Sequence, residues 1–485
     1  MIEKIAPFYA KIKRNSIAKK VRNALLSIPF YRKKLRENSI ELYEVRKINS
    51  IEKLDKFLQK YNVSWVEGTD LMGNDFSSHL SLVPGSKRTW IQVSSGYSLV
   101  EKLRSGESFL EAIQKFKRKK IAYTQKDVNL VIKELYLRGL KRFFANLPTS
   151  TPAVAIFSRM YIYGGSGTYP FASLTRVSQK IPLRVLPYGE PLSQEQLCDY
   201  VFDSIENDAN GILITPSILN NIGSFMVENK LRYKNLMFIG TGGFKPSKEV
   251  IELGHEIGAK IVIDAYGAQE CMPLGCVAYG IISSVDKNWE ASDGLMVMGN
   301  LCHVRVVDEN GENVDEGEEG EIKITSPFEG TCLIDYAPGD VTRLLGYSTT
   351  ITLNNQKIKL PFPSLSIDIK RKHESGYVKI KEYPVSIDIL KEILTSYFGY
   401  NFAICKPQSK EELLILVPNS VEEKSCEEMF QKIRYSLCPL IYDSIKIKRI
   451  DETKLRNIVF PSLQFKPHNL ILSPSKELES ELYNS

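Results

Sequence analysis

The sequence predicts an α/β protein of more than one domain, and three stretches carry that prediction. Between residues 153 and 263 short apolar runs alternate with amphipathic stretches, the pattern of a largely parallel sheet covered by helices. After Glu270 short strands separated by Gly, Asn and Asp turns read as a small antiparallel subdomain. Beyond about residue 370 the order strand, helix, two strands, helix, strand fits a small α+β domain with two helices on one sheet face. The boundary is placed between 370 and 371, giving units of residues 1–370 and 371–485.

Taken in order, apolar positions recurring between Ile17 and Leu35 predict helices, with a break before Ile28-Pro-Phe-Tyr-Arg-Lys-Lys-Leu35. Thr89-Trp-Ile-Gln-Val93 reads as a strand. Interior strands follow at 153–157, 183–186, 211–214, 236–239 and 260–263, and turn-flanked strands at 294–298, 303–307 and 320–324. The C-terminal unit is expected to place strands at 377–380, 401–404, 412–417 and 444–450, and helices at 386–397 and 422–437. Lys260-Ile-Val-Ile263 leads into Asp264-Ala-Tyr-Gly-Ala-Gln-Glu270, which joins a buried strand to an aromatic, a turn glycine and a carboxylate. Ligands of open α/β sheets bind at such strand ends, and this combination suits the handling of ATP.

A chain of 485 residues is too long for one small core, and 43% hydrophobic with 25% charged residues is ordinary globular composition. The net charge of +7 is mild. The basic run Lys117-Arg-Lys-Lys120 reads as solvated helix surface, so no nucleic-acid partner is expected. No run of about 18 apolar residues marks a membrane span, and the charged N-terminus is unlike a secretory signal, so a cytoplasmic location is expected. Eight cysteines without paired spacing favour free thiols over a disulfide framework. Cys271, Cys276, Cys302 and His303 share one region but lack a CxxC pair, which leaves structural zinc as the minor alternative. A homodimer is left open.

Several short motifs occur in a fixed order. They are Ile28-Pro-Phe-Tyr-Arg-Lys-Lys-Leu35, Ile214-Thr-Pro-Ser217, Gly243-Phe-Lys-Pro-Ser247, Tyr266-Gly-Ala-Gln-Glu270, Gly317-Glu-Glu-Gly-Glu-Ile322 and Tyr336-Ala-Pro-Gly-Asp340. Together, over nearly the whole chain, they resemble the acyl-adenylate-forming (AMP-binding) superfamily, in its phenylacetate-CoA ligase-like branch. The resemblance implies a large adenylate-forming N-terminal domain and a small mobile C-terminal lid, with ATP, Mg²⁺ and coenzyme A as cofactors and a small carboxylic acid as substrate.

It also implies roles. Tyr266 would stack on adenine, with the backbone around Gly243, Phe244, Asp264, Ala265 and Gly267 reading its edge. Glu270 would hold Mg²⁺ against the phosphates, because a hard cation takes oxygen ligands. Asp340 would accept hydrogen bonds from the ribose hydroxyls. Arg343 would contact ribose or phosphate, or form a surface ion pair. Ser94, Ser95 and Gly96 stand where the family has its phosphate loop, and Tyr163, Gly164 and Gly165 in a second glycine-rich stretch are assigned to the acyl side with Gly240. Lys454 is the nearest equivalent of the catalytic C-terminal lysine, against the reading of an ordinary surface lysine.

The chain departs from the pattern in several places. The phosphate loop lacks its later threonine, glycine and lysine, and Gln269 replaces the threonine that contacts the α-phosphate. Asp335 and Ala337 stand where the branch has arginines, and Lys372-His-Glu-Ser-Gly376 replaces the usual hinge Gly-Arg-x-Asp-Asp. Less positive charge near a triphosphate costs affinity or transition-state stabilisation. Two functions are therefore carried forward. One is activation of an aryl or fatty acid as its adenylate, with acyl transfer to coenzyme A, or to a protein thiol or amine. The other is a degenerate member that binds nucleotide or acyl ligand without turnover.

Overall fold

The computed structural model describes residues 2–72, 75, 77–93, 119–131, 133–134, 154–157, 183–186, 194–206, 209–243, 245–268, 270–273, 276–287, 289–353, 356–372, 377–380, 383–407, 412–435, 444–459, 469–471, 474, 478, 480 and 482. The chain opens with four helices, α1 (Ile2–Ser27), α2 (Pro29–Glu37), α3 (Leu42–Arg46) and α4 (Ile51–Tyr61). The break expected before Pro29 is the α1–α2 boundary: proline starts a helix at no cost because its missing N–H needs no partner there. Ser50 starts α4, its Oγ accepting the Lys53 N–H at 3.4 Å. Ile17, Val21 and Leu25 on α1, Tyr31 and Leu35 on α2, and Leu54 and Leu58 on α4 are buried at helical spacing and share one core with Trp65.

The strands β1 (Arg88–Val93) and β2 (Lys120–Thr124) pair as an antiparallel ribbon. Five parallel strands follow: β3 (Val154–Phe157), β4 (Leu183–Leu186), β5 (Gly211–Ile214), β6 (Phe238–Gly242) and β7 (Ile261–Gly267), in the order β4-β3-β5-β6-β7. The helices Pro216–Glu228 and Lys248–Glu256 link the later ones, started by Thr215 and Ser247, whose hydroxyls accept N–H groups of the first turn. Along β5 and β6 the faces alternate. Phe238 joins the core shared with α1, α2 and α4, whereas Ile212 and Ile239 join the one under the two linking helices.

The antiparallel strands expected after Glu270 are present, and all but one hairpin of them extend the parallel sheet. They are β8 (Cys276–Ser284), β9 (Leu295–Val297), β10 (His303–Val307), β11 (Glu319–Pro327), β12 (Cys332–Tyr336), β13 (Asp340–Gly346), the hairpin β14 (Thr349–Leu353) and β15 (Gln356–Leu360), β16 (Ser364–Leu365) and β17 (Lys370–Arg371). Pairing of β8 against β7 continues the parallel half into one sheet, ordered onward β8-β9-β16-β13-β11-β10. That pairing also explains why β7 outruns the expected 260–263: Ala278 and Cys276 hold Tyr266 and Gly267 extended.

The C-terminal unit has the hairpin β18 (Tyr377–Ile380) and β19 (Tyr383–Ser386), and a sheet ordered β22-β21-β20-β23 from β20 (Ala403–Cys405), β21 (Leu413–Pro418), β22 (Ile445–Ile450) and β23 (Leu470–Ile471). The helices Ile387–Phe398 and Glu423–Tyr435 cover one face, as expected, and Glu452–Val459 covers the other. Among the described residues no helix is long and apolar enough to cross a membrane, and the seven described cysteines are free thiols.

One buried hydrogen bond ties the helical N-terminus to the sheet: the Tyr31 hydroxyl donates to the Cys332 carbonyl at 2.6 Å. Tyr31→Phe keeps the ring and strands that carbonyl, so urea denaturation should read a loss of about 1–2 kcal/mol; an unchanged midpoint would show that water replaces the hydroxyl.

Candidate functional site

The site forms at the end of β7. There the strand still pairs on both edges, Thr241 and Gly242 of β6 standing opposite Asp264 and Ala265. Tyr266 is half-buried, and its hydroxyl donates to Oδ2 of buried Asp340 at 2.7 Å. The expected adenine and ribose residues thus meet, from strands in the parallel and antiparallel halves of the sheet. Gly243 follows β6 with φ of 98°, a conformation that needs glycine. Gly240 is buried within β6, and a Cβ there would lie 2.5 Å from Leu213 Cδ2, so the missing side chain makes room for leucine.

Glu270 follows on the turn after β7. Its Oε1 accepts from Lys119 Nζ at 3.2 Å and from the Tyr336 hydroxyl at 3.1 Å. Lys119 Nζ also donates to that hydroxyl at 2.7 Å, closing a three-membered network. The Lys119 and Glu270 side chains are 23% and 13% exposed, screened enough from water to hold the ammonium in place. Tyr123, at the end of β2, fixes the Glu270 main chain by donating to its carbonyl at 2.8 Å.

Lys119 corrects the reading of 117–120 as solvated helix. Lys119 and Lys120 lie at the entry to β2, and Lys119 packs past Gly68, whose added Cβ would be 3.4 Å from Lys119 Cε. A signal was present in Ile121-Ala-Tyr-Thr124, a strand-like run that begins at once after the charges. Read as one block the basic run hides this strand entry, and the motif around Tyr336 does not mark its hydroxyl.

Other expected residues stand apart. Arg343 lies three residues beyond Asp340 on β13, so strand alternation sends it to the opposite face, where it is exposed. Lys454 lies in the first turn of the helix Glu452–Val459, its N–H capped by Asp451 Oδ1 at 3.0 Å. Ser94, Ser95, Gly96, Tyr163, Gly164, Gly165, Phe244 and Gln269 lie outside the described residues, as does 373–376 of the hinge. Asp335 has a structural occupation: both its oxygens take Arg305 Nη1, at 2.9 and 3.1 Å, and Lys323 stands 3.7 Å away. Its φ of 49° is left-handed, and its N–H is satisfied by Thr325 Oγ1 at 2.9 Å. For the zinc alternative, no metal-holding cluster exists among the described residues, and His303 Nε2 instead meets Asp55 at 2.6 Å.

Asp264 is buried beside Thr241, whose hydroxyl lies 2.8 Å from its Oδ1 and 3.1 Å from the Ile263 carbonyl. Burial pushes the Asp264 carboxyl up to about 6, against the opposing pull of the Thr241 and Ala265 hydrogen bonds and of Lys245. A carboxyl raised above its unfolded value binds protons more tightly when folded, so stability is greatest below about pH 4 and falls as pH rises to about 6. Asp264→Asn keeps the shape and removes the charge. It should gain at most about 3 kcal/mol over the native chain at pH 8 and nothing at pH 4, read by urea denaturation at both.

No protein-family model and no curated protein matches this sequence. Solved structures do. A 2-hydroxyisobutyryl-CoA ligase in its post-adenylation state, in complex with 2-HIB-AMP, superposes with a TM-score of 0.67 at 17% identity, covering 99% of this chain and 92% of that one. The same ligase with 2-HIB-AMP and CoA in the thioesterification state gives 0.55 at 16% identity, covering 99% and 93%. An open conformation of it, also with 2-HIB-AMP and CoA, gives 0.55 at 16%, covering 96% and 91%. At such identities the likeness speaks for the fold alone: over nearly its whole length the chain has the fold of that CoA ligase.

Proposed function

We propose that this chain is an ATP-dependent ligase of the phenylacetate-CoA ligase-like branch, which activates an aryl or fatty acid as its adenylate and passes the acyl group to coenzyme A. In this reading residues 1–370 bind the nucleotide and 371–485 form the mobile lid. One observation carries it: Tyr266, Asp340, Glu270 and Lys119 converge at the end of β7 on an adenylate-forming fold.

The roles follow from chemistry. Attack of a carboxylate on the α-phosphorus expels pyrophosphate and gathers negative charge, so the site needs fixed positive charge and fixed geometry. Tyr266 orients Asp340 through its hydroxyl while its ring lies against the base, and the Asp340 carboxylate receives the ribose hydroxyls. Lys119 supplies the cation that the altered loop motif lacks, held ready between Glu270 and Tyr336. Glu270 is a single hard carboxylate, which suits Mg²⁺, an ion that takes most of its other oxygens from phosphates and water. That ion, when bound, would neutralise phosphate charge. The ready lysine favours a working site over a degenerate one.

The test is carboxylate-dependent ATP–pyrophosphate exchange across a panel of aryl and fatty acids, followed by a coenzyme A thioester assay. Exchange should vanish in Asp340→Ala and fall in Glu270→Gln. Lys119→Ala should lose about 10²–10³-fold in exchange while AMP affinity changes little, since AMP lacks the phosphates that the lysine serves. No exchange from the folded native chain with any acid would sink the proposal, and equal loss of AMP binding in the lysine variant would move Lys119 from phosphate to nucleotide.

A further inference from the structure

One side chain of the C-terminal unit is buried in the large one. The helix Ile387–Phe398 stops at Gly399, whose φ of 57° turns the chain and whose N–H donates to the Thr395 carbonyl at 2.9 Å. Its missing side chain admits the helix Pro216–Glu228, since a Cβ would lie 3.1 Å from Asn220 Nδ2. The turn sends Tyr400 away from both cores of the C-terminal sheet. Instead it joins Ile218, Leu219, Ile222 and Val250 in the cluster beneath the linking helices, at 9% exposure.

The Tyr400 hydroxyl then makes two hydrogen bonds to one short segment. It accepts the Ser247 N–H at 3.1 Å and donates to the Lys245 carbonyl at 3.0 Å. That segment, Lys245 to Ser247, ends in the cap of the helix Lys248–Glu256. From the other side Asn469, just before β23, donates its Nδ2 to the Tyr400 carbonyl at 3.0 Å and to that of Phe402. Burial raises the phenol, so at neutral pH it stays a donor as well as an acceptor.

We propose that Tyr400 is a positioning residue, a latch through which the C-terminal sheet holds the 245–247 backbone in the shape that receives the nucleotide. Its role rests on the adenylating function proposed above, because it acts on the nucleotide only through that backbone. The lid can leave its docked position only by withdrawing Tyr400, which releases the segment. Nucleotide affinity and lid docking are therefore coupled, and by reciprocity a bound nucleotide strengthens the docking.

Tyr400→Phe tests this on the full chain, since phenylalanine keeps the buried ring and removes both hydrogen bonds. The first measurement needs no ligand: hydrogen exchange at the Ser247 amide, resolved by fragmentation mass spectrometry, should quicken about tenfold. The second is AMP affinity by calorimetry, which should weaken about tenfold. In the native chain AMP should slow Ser247 exchange, and in the variant that effect should shrink. Unchanged Ser247 exchange overturns the latch. Faster exchange with native AMP affinity overturns its positioning role. If the native chain binds no AMP, the proposed function fails, and the exchange measurement alone decides whether Tyr400 latches the lid.

Discussion

The site depends on β7 having two unlike neighbours. On one edge it pairs parallel with β6, on the other antiparallel with β8, and these pairings merge two sheet styles into one. In parallel sheets ligands gather beyond the carboxyl ends of the strands. Here β8 keeps the last residues of β7 extended past that point, so Tyr266 stands at the junction and meets Asp340 from the antiparallel half. The Tyr266–Asp340 bond exists only because the sheet is continuous.

Charge in the molecule is managed by pairing. Arg305, 4% exposed, has its guanidinium satisfied by Asp335, by Asn313 Oδ1 at 2.7 Å and by the Gly311 carbonyl at 2.8 Å. A buried ion that is paired and hydrogen-bonded at each nitrogen is tolerated, whereas removing one partner is costly. The acid at 335 thus belongs to the interior of β10 to β12. Glu270 and Lys119 form the opposite case, a pair left partly open to solvent, where a polyanion is able to compete for the lysine.

Much of the architecture was legible because local pattern reports local structure. Apolar runs marked β3 to β7, Pro29 marked a helix boundary, and strand–helix alternation marked the C-terminal unit. The polar Asp264 and the aromatic Tyr266 hid the length of β7, since what keeps them extended is β8. Lys119 was hidden by distance, lying 151 residues from Glu270 and 217 from Tyr336 along the chain. No window of sequence contains such a contact. Tyr400 was equally unreadable, being one aromatic after a helix until the fold shows which core it enters.

One departure from the family pattern, Asp335, has a structural reason in the fold. Each altered position has to be judged by what the fold asks of it. At 335 the fold asks for an anion, to satisfy Arg305, so an arginine there would bury two like charges side by side. Beside Glu270 the fold places Lys119, the residue that precedes β2. Lys119, Glu270 and Tyr336 close on one another, and the first two stay partly open to solvent.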